Sequence, residues 1–143
     1  MRIDRATPVD EPAIEGLLAS AGLPLDGLAE AFEHGVVARD GQGLVGAAAV
    51  ELYGDSGLLR SVVVDSGHRG VGLGGRLVGE AEGVARAAGV RELYLVTETA
   101  ADWFPRLGYR LIDLETARAA VGTSVEFTLS CAASGVAMRR RLG

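Results

Sequence analysis

The 143-residue chain contains neither lysine nor asparagine, and it has a single cysteine, Cys131. Without lysine no Walker A phosphate loop can be assembled, and no lysine Schiff base can form. A lone cysteine cannot close an internal disulfide, and one thiol with His34 and His68 offers no recognisable metal spacing, so no metal is expected. Cationic excess is missing too: 14 arginines against 19 carboxylates leave a net charge of −5 and a pI near 5.0, which argues against a nucleic-acid-binding face. The one basic run, Arg139-Arg140-Arg141, reads as a solvated tail. No apolar run reaches the roughly 20 residues of a membrane span. Met1-Arg2-Ile3-Asp4 has no signal-peptide apolar region, so a cytoplasmic protein without membrane contact is expected.

What is abundant is glycine, 21 residues, much of it at punctuation points between apolar runs. The length suits one domain spanning 1–143. Arg2 to Ala6 reads as a strand, and Thr7-Pro8-Val9-Asp10 as a helix start followed by Ile14, Leu17, Leu18 and Ala21 at helical spacing. A second short helix is expected over Leu25 to Phe32. From Gly35 the period changes: Val36 to Arg39, an Asp40-Gly41-Gln42-Gly43 turn, Leu44 to Tyr53, a second turn and Leu58 to Val64 form an antiparallel meander. A helix from Gly72 to Ala88 follows, with Leu73, Leu77, Ala81, Val84, Ala85 and Ala88 on one side. The strand Arg91 to Val96 after it implies a parallel, right-handed crossover. A short helix over Ala100 to Leu107, a strand Tyr109 to Ile112, helical turns around Thr116 to Val121 and a strand Val136 to Leu142 complete the pattern.

The strongest functional pointer is Val62-Val63-Val64-Asp65-Ser66-Gly67-His68-Arg69-Gly70-Val71-Gly72-Leu73-Gly74-Gly75, a strand running through glycines into a helix. Helix starts expose unpartnered N–H groups at the positive end of the macrodipole, a ready site for a pyrophosphate. Four glycines in six residues exceed what close packing alone requires, since each costs roughly 0.5–1 kcal/mol relative to alanine in a helix. Gly70 to Gly75 also satisfies G-x-G-x-x-G, with Glu98 near the place of a ribose-binding acid. Against a dinucleotide fold, some 60 residues of helix and meander precede the motif, and too little chain follows it for a second half.

Val62 to Asp65 followed by Arg69-Gly70-Val71-Gly72-Leu73-Gly74 resembles the R-x-x-G-x-G acyl-CoA signature of the GNAT superfamily of N-acetyltransferases, and the element order resembles that family's plan. The resemblance implies an α/β fold of the α+β type: a mixed, mostly antiparallel sheet of six to seven strands with about four helices on both faces. It implies acetyl-CoA as co-substrate, held at Arg69, Gly70, Val71, Gly72, Leu73, Gly74 and Gly75, with its pantetheine arm along Val62, Val63 and Val64. Thr97 and Thr99 stand where the family has asparagine and would contact the same cofactor. Phe104, within Trp103-Phe104-Pro105-Arg106-Leu107-Gly108, stands at the family's proton-donating tyrosine and carries no acidic proton.

Transfer to an amine requires the neutral amine, so a base is sought among the carboxylates. Glu51 and Glu98 are the candidates, each with a plain alternative as a solvated strand-end charge. Leu58-Leu59-Arg60-Ser61-Val62 is similar to amino-acid acetyltransferases of the N-acetylglutamate synthase type, which makes Arg60 a candidate for a substrate carboxylate and Ser61 and Tyr53 its companions. Val125 to Met138, with Glu92-Leu93-Tyr94-Leu95 and the Trp103-Phe104 segment, resembles bacterial arsenic-resistance-associated GNAT proteins. By that resemblance Cys131 is a soft candidate ligand for an arsenical acceptor, its plain alternative being a small core residue. The acceptor is then a small amine or amino acid. A homodimer is a family habit the sequence neither requires nor forbids. A non-catalytic CoA-binding sensor and a dinucleotide-dependent redox protein remain the other classes.

Overall fold

A computed structural model of the chain describes residues 2–70, 72–122 and 135–143. Seven strands form one sheet in the order β1-β2-β3-β4-β5-β7-β6 among these residues: β1 (Arg2–Arg5), β2 (Val36–Asp40), β3 (Gly43–Tyr53), β4 (Ser56–Val64), β5 (Glu92–Thr97), β6 (Arg110–Ile112) and β7 (Val136–Arg141). Only β4 and β5 pair in parallel; every other neighbour is antiparallel. The helices are α1 (Glu11–Ser20), α2 (Leu28–Ala31), α3 (Leu73–Ala87) and α4 (Leu114–Val121). The mixed, mostly antiparallel sheet with helices on both faces is the fold the sequence implied.

Both faces are packed. Leu73, Leu77, Val78, Ala81 and Ala85 of α3 meet Val36, Ala38, Ala48, Val50, Leu59, Leu93 and Leu95 on one side. On the other, Ile14 and Leu18 of α1 and Leu28 of α2 cover Val37, Ala47, Ala49 and Val63, while Ala117 and Val121 of α4 cover Leu58, Tyr94 and Ala137. The run Ala47-Ala48-Ala49-Val50 in β3 is buried throughout because consecutive residues serve opposite cores.

The short helix expected over Ala100 to Leu107 is a 3₁₀ helix confined to Phe104–Leu107, and two other helices differ from the sequence reading in extent. The second begins only at Leu28, because Gly27 before it lies in the left-handed region at φ 67°, and its last turn tightens into a 3₁₀ turn over Phe32–His34. At the end of α3 the chain leaves the helix after Ala87, with Gly89 at φ 93°, so Ala88 is exposed rather than buried.

Glu82 on α3 was not expected inside, yet it is 4% exposed. Its carboxylate accepts from Tyr109 Oη at 2.8 Å and from Arg140 Nη1 at 2.7 and 2.9 Å, which clamps α3 to β7 and to the residue entering β6. Burial, followed by the neighbouring Glu82 charge, pushes the Tyr109 phenol far above its ordinary value, so it serves as a fixed donor. At the sheet's far edge Asp10 accepts from Arg39 Nη2 at 2.8 Å through both oxygens and from the Thr7 N–H at 2.9 Å.

Candidate active site

β4 and β5 pair only through Ser56–Leu58 and Glu92–Tyr94 among the described residues. Beyond Leu58 the two strands separate, and the gap is a cleft made of two adjoining cavities of about 310 and 290 Å³. Leu23, Val62, Thr97, Thr99 and Phe104 line both cavities, so they are two ends of one space. A sheet that opens in this way leaves β4 backbone groups turned toward the gap without a neighbouring strand to satisfy them, a rail for an extended ligand.

The larger end is the glycine cradle. Val64, His68, Arg69, Gly70, Gly72, Leu73, Gly74, Gly75 and Trp103 wall it. Gly70 and Gly72 lie in the left-handed region, at φ 83° and 79°, and this turns the chain sharply into α3. The first helical bond runs from Arg76 N–H to Gly72 O at 3.2 Å, so the N–H groups ahead of it face the cavity end of the helix. Gly74 has a different reason: a Cβ there would meet the Trp103 ring at 3.1 Å. The glycine excess therefore divides between backbone conformation and close packing, and packing accounts for more of it than the sequence alone indicated.

The loop carrying the cradle is tied down on both sides. Arg69 Nε donates to Val64 O at 3.1 Å, fastening the loop to the end of β4. His68 sits between two carboxylates, Nδ1 at 3.1 Å from Asp65 and Nε2 at 3.0 Å from Asp40, which links it to the β2–β3 turn. The Gln42 N–H, with a further contribution from His68, holds the Asp40 carboxyl below its ordinary value against the opposing effect of desolvation.

The smaller end of the cleft is walled by Pro24 from the α1–α2 loop, by Arg60 and Ser61 of β4 and by Glu98 and Thr99 after β5. Here β4 carries a bulge. Ala47 faces Val63 and Ala49 faces Arg60, so Ser61 and Val62 together oppose Ala48. The extra residue resets the side-chain alternation: Leu59 and Val62 both pack toward α3, although an odd separation would put them on opposite faces of a regular strand. Ser61 absorbs the irregularity at φ 57°, as the single non-glycine residue with positive φ among those described.

Behind this wall lies a side-chain network. Arg60, with its side chain fully buried, donates through Nη1 to Glu51 at 2.8 Å and through Nε to Ser61 Oγ at 3.1 Å. Glu51 also accepts from the Tyr53 hydroxyl at 2.5 Å. Glu51 and Tyr53 border a neighbouring pocket with Gly27, Glu30, Glu33 and His34 rather than the cleft itself.

The structure thus brings Val62, Val64, Arg69, Gly70, Gly72, Leu73, Gly74, Gly75, Thr97, Thr99 and Phe104 onto one cleft, with Arg60, Ser61 and Glu98 at its smaller end. Val63 is the exception among the strand residues, its side chain packing toward α1 on the opposite face. Val71 and Cys131 lie outside the described residues. The sequence reading missed Trp103 as a cradle wall, Leu23 and Pro24 as a lip, and the bulge at Ser61. The last was hidden because Val62-Val63-Val64 is apolar on both faces and so carries no alternation from which a phase shift can be read.

No group of three or more potential metal-ligating side chains occurs among the described residues, and no helix among them is long and apolar enough to cross a membrane. Several solved structures share the fold. One is N-acetylglutamate synthase from Neisseria gonorrhoeae, complexed with coenzyme A and N-acetyl-glutamate: TM-score 0.80, 20% identity, 99% of this chain covered. This chain spans only 35% of that protein's length. The Mycobacterium tuberculosis protein Rv2747 in complex with CoA matches over 99% of both chains at TM-score 0.77 and 22% identity. An acetyltransferase of the GNAT family from Staphylococcus aureus Mu50 matches over 99% of both chains at TM-score 0.79 and 14% identity. Likeness at these identities speaks for the fold. The family itself follows from the match of residues 31–111, more than half of the chain, to the acetyltransferase (GNAT) domain model, and the chain belongs to that family.

Proposed function

We propose that the protein transfers an acetyl group from acetyl-CoA to the primary amine of a small, amino-acid-like acceptor by direct attack. The observation that carries this reading is the continuity of the cleft: a glycine cradle at one end, an opened strand along the middle and a polar end at Glu98, Arg60 and Ser61. The CoA pyrophosphate fits the N–H groups at the start of α3, beside Arg69. The pantetheine arm fits the β4 edge at Val62 to Val64, flanked by Thr97, Thr99 and Phe104. The thioester then lies where the two cavities meet, and its carbonyl oxygen takes a hydrogen bond from the Val62 backbone N–H; the Val63 N–H, two residues before the Asp65 N–H that donates to Val45 O, faces β3 instead.

The acceptor enters from the smaller end. Glu98 lines that end and takes the proton from the ammonium, directly or through one water. Glu51 binds Arg60 and Tyr53, which suits it to orient Arg60 rather than to meet the amine itself. The neutral amine attacks the carbonyl carbon, the tetrahedral intermediate passes its nitrogen proton to solvent water, and the C–S bond breaks to release the CoA thiolate. Phe104 has no proton to give, so the thiolate departs as an anion. The arsenic-related finer reading rests on sequence resemblance over 125–138, most of which lies outside the described residues. An arsenical amino acid is therefore one acceptor to be tried among others.

The test pairs binding with turnover. Acetyl-CoA at 100 times its dissociation constant is expected to stabilise the fold by about 2.7 kcal/mol in thermal denaturation, with NAD(P)H giving no shift. Release of free thiol is then followed across amino acids, simple amines and arsenical amino acids. Stabilisation by NAD(P)H alone overturns the reading, and binding of acetyl-CoA with no turnover on any acceptor makes the protein a CoA-binding sensor.

A further inference from the structure

We infer that the Ser61 hydroxyl is a catalytic group that completes, with the Val62 N–H, the site stabilising negative charge on the thioester oxygen. The inference rests on the acetyl-transfer reading above. Three features of Ser61 converge. It occupies the left-handed region at φ 57°, a conformation costly for a residue with a side chain and found where function or packing imposes it. It is 8% exposed, yet it borders the smaller end of the cleft beside Val62. Its oxygen accepts a hydrogen bond from Arg60 Nε at 3.1 Å, and Arg60 is itself anchored by Glu51.

A serine hydroxyl has one proton and two lone pairs. With one lone pair taken by a buried guanidinium, the hydroxyl is polarised as a donor and its proton is turned away from the cation. A serine Oγ and the N–H of the following residue lie close enough in space to share one acceptor. The bulge places that pair, Ser61 and Val62, where β4 leaves β5, which is where the acetyl carbonyl lies in the proposed mode. The charge balance is simple. As nitrogen bonds to the carbonyl carbon, the C=O π electrons move to oxygen, and the Ser61 O–H and Val62 N–H each donate to it. When the C–S bond breaks, those electrons return and the thiolate carries the charge away. The serine proton stays on serine throughout. Arg60 and Glu51 act as positioning residues.

Ser61→Gly is the informative variant, because glycine accepts the positive φ and keeps the Val62 N–H while removing the CH2OH side chain that carries the hydroxyl. The kcat is expected to fall roughly 100-fold, as on losing one oxyanion donor, by the same factor for every acceptor and with KM for acetyl-CoA little changed. Without any acceptor present, Ser61→Gly is expected to bind both acetyl-CoA and S-ethyl-CoA, which has no carbonyl oxygen, as the wild type does, because the hydroxyl acts on charge that develops only in the transition state. Ser61→Ala is expected to show the same kcat loss with a melting temperature below that of Ser61→Gly, because alanine keeps the left-handed strain that glycine relieves. Unchanged kcat, a loss confined to one acceptor, or equal weakening of both thioester and thioether each overturns the assignment. If the wild-type protein binds neither compound, or binds acetyl-CoA without turnover on any acceptor, the acetyl-transfer reading falls first and takes this one with it.

Discussion

The two ends of the cleft are built from different materials. At the cradle, the wall is main chain turned by Gly70 and Gly72, with Trp103 filling the space above Gly74. The other end is walled by side chains, Arg60 and Ser61 of β4 among them, held from behind by Glu51 and Tyr53 of β3 through hydrogen bonds of 2.5 to 3.1 Å. In the proposed mode the cradle meets a pyrophosphate, which is the same in every molecule of CoA, so a rigid backbone site suffices. An acceptor varies between enzymes, and side chains are what a sequence can change without refolding the loop.

This contrast predicts separable losses. The largest effect on stability is expected at the side-chain end. Glu51→Ala takes a carboxylate away from the buried Arg60 and is expected to destabilise the fold by about 3 kcal/mol, as with other broken buried pairs, in urea denaturation. The milder Glu51→Gln keeps the volume and a hydrogen-bonding oxygen; it is expected to lower turnover while leaving CoA affinity unchanged by calorimetry. If Glu51→Gln instead abolishes CoA binding, the two ends are not independent.

At the cradle the order reverses. Gly72→Val forces a β-branched side chain to φ 79°, at a cost of roughly 1–2 kcal/mol or more, and the loop relaxes by giving up the cradle geometry. CoA affinity is expected to fall at least ~10-fold with a smaller change in urea midpoint. Arg69→Ala is gentler still, since Arg69 is exposed: a few-fold loss of affinity that shrinks as salt rises, in line with a screened surface charge. A salt-independent loss would mean that the tie to Val64 O matters more than the charge.

The smallest effect is reserved for Asp10, remote from both ends. Its burial opposes ionisation, but the Thr7 N–H and Arg39 outweigh that and hold its carboxyl below the ordinary value. A folded-state value below the unfolded one means that the contribution of Asp10 is complete above the ordinary carboxylate range. It is lost as pH falls through the lowered value. The stability gap between wild type and Asp10→Asn should therefore narrow on acidification, with turnover at neutral pH unchanged.

Much of the architecture was legible before the structure. The meander, the crossover helix and the parallel pairing follow from period changes, Asp-Gly turns and the β-strand-to-glycine transition, all of them local signals. The cradle was legible for the same reason: Val62 to Gly75 is contiguous, and its conformation depends on the glycines themselves. The other end was legible only as a set of names. Glu51, Arg60 and Glu98 come from three separate strands or strand ends, and whether a carboxylate meets an arginine or a ligand depends on strand register.

The sequence by itself determined the order of elements, the glycine turn into α3 and what is excluded for want of lysine. Tertiary structure decided three further things: that β4 parts from β5 after Leu58, that the bulge at Ser61 and Val62 shifts the strand's phase, and that Glu51 lies behind Arg60 rather than in the cleft. The physical reason is that helix starts and tight turns are fixed by neighbours in the chain. Register, strand divergence and ion pairing are settled between strands that the chain brings together only on folding.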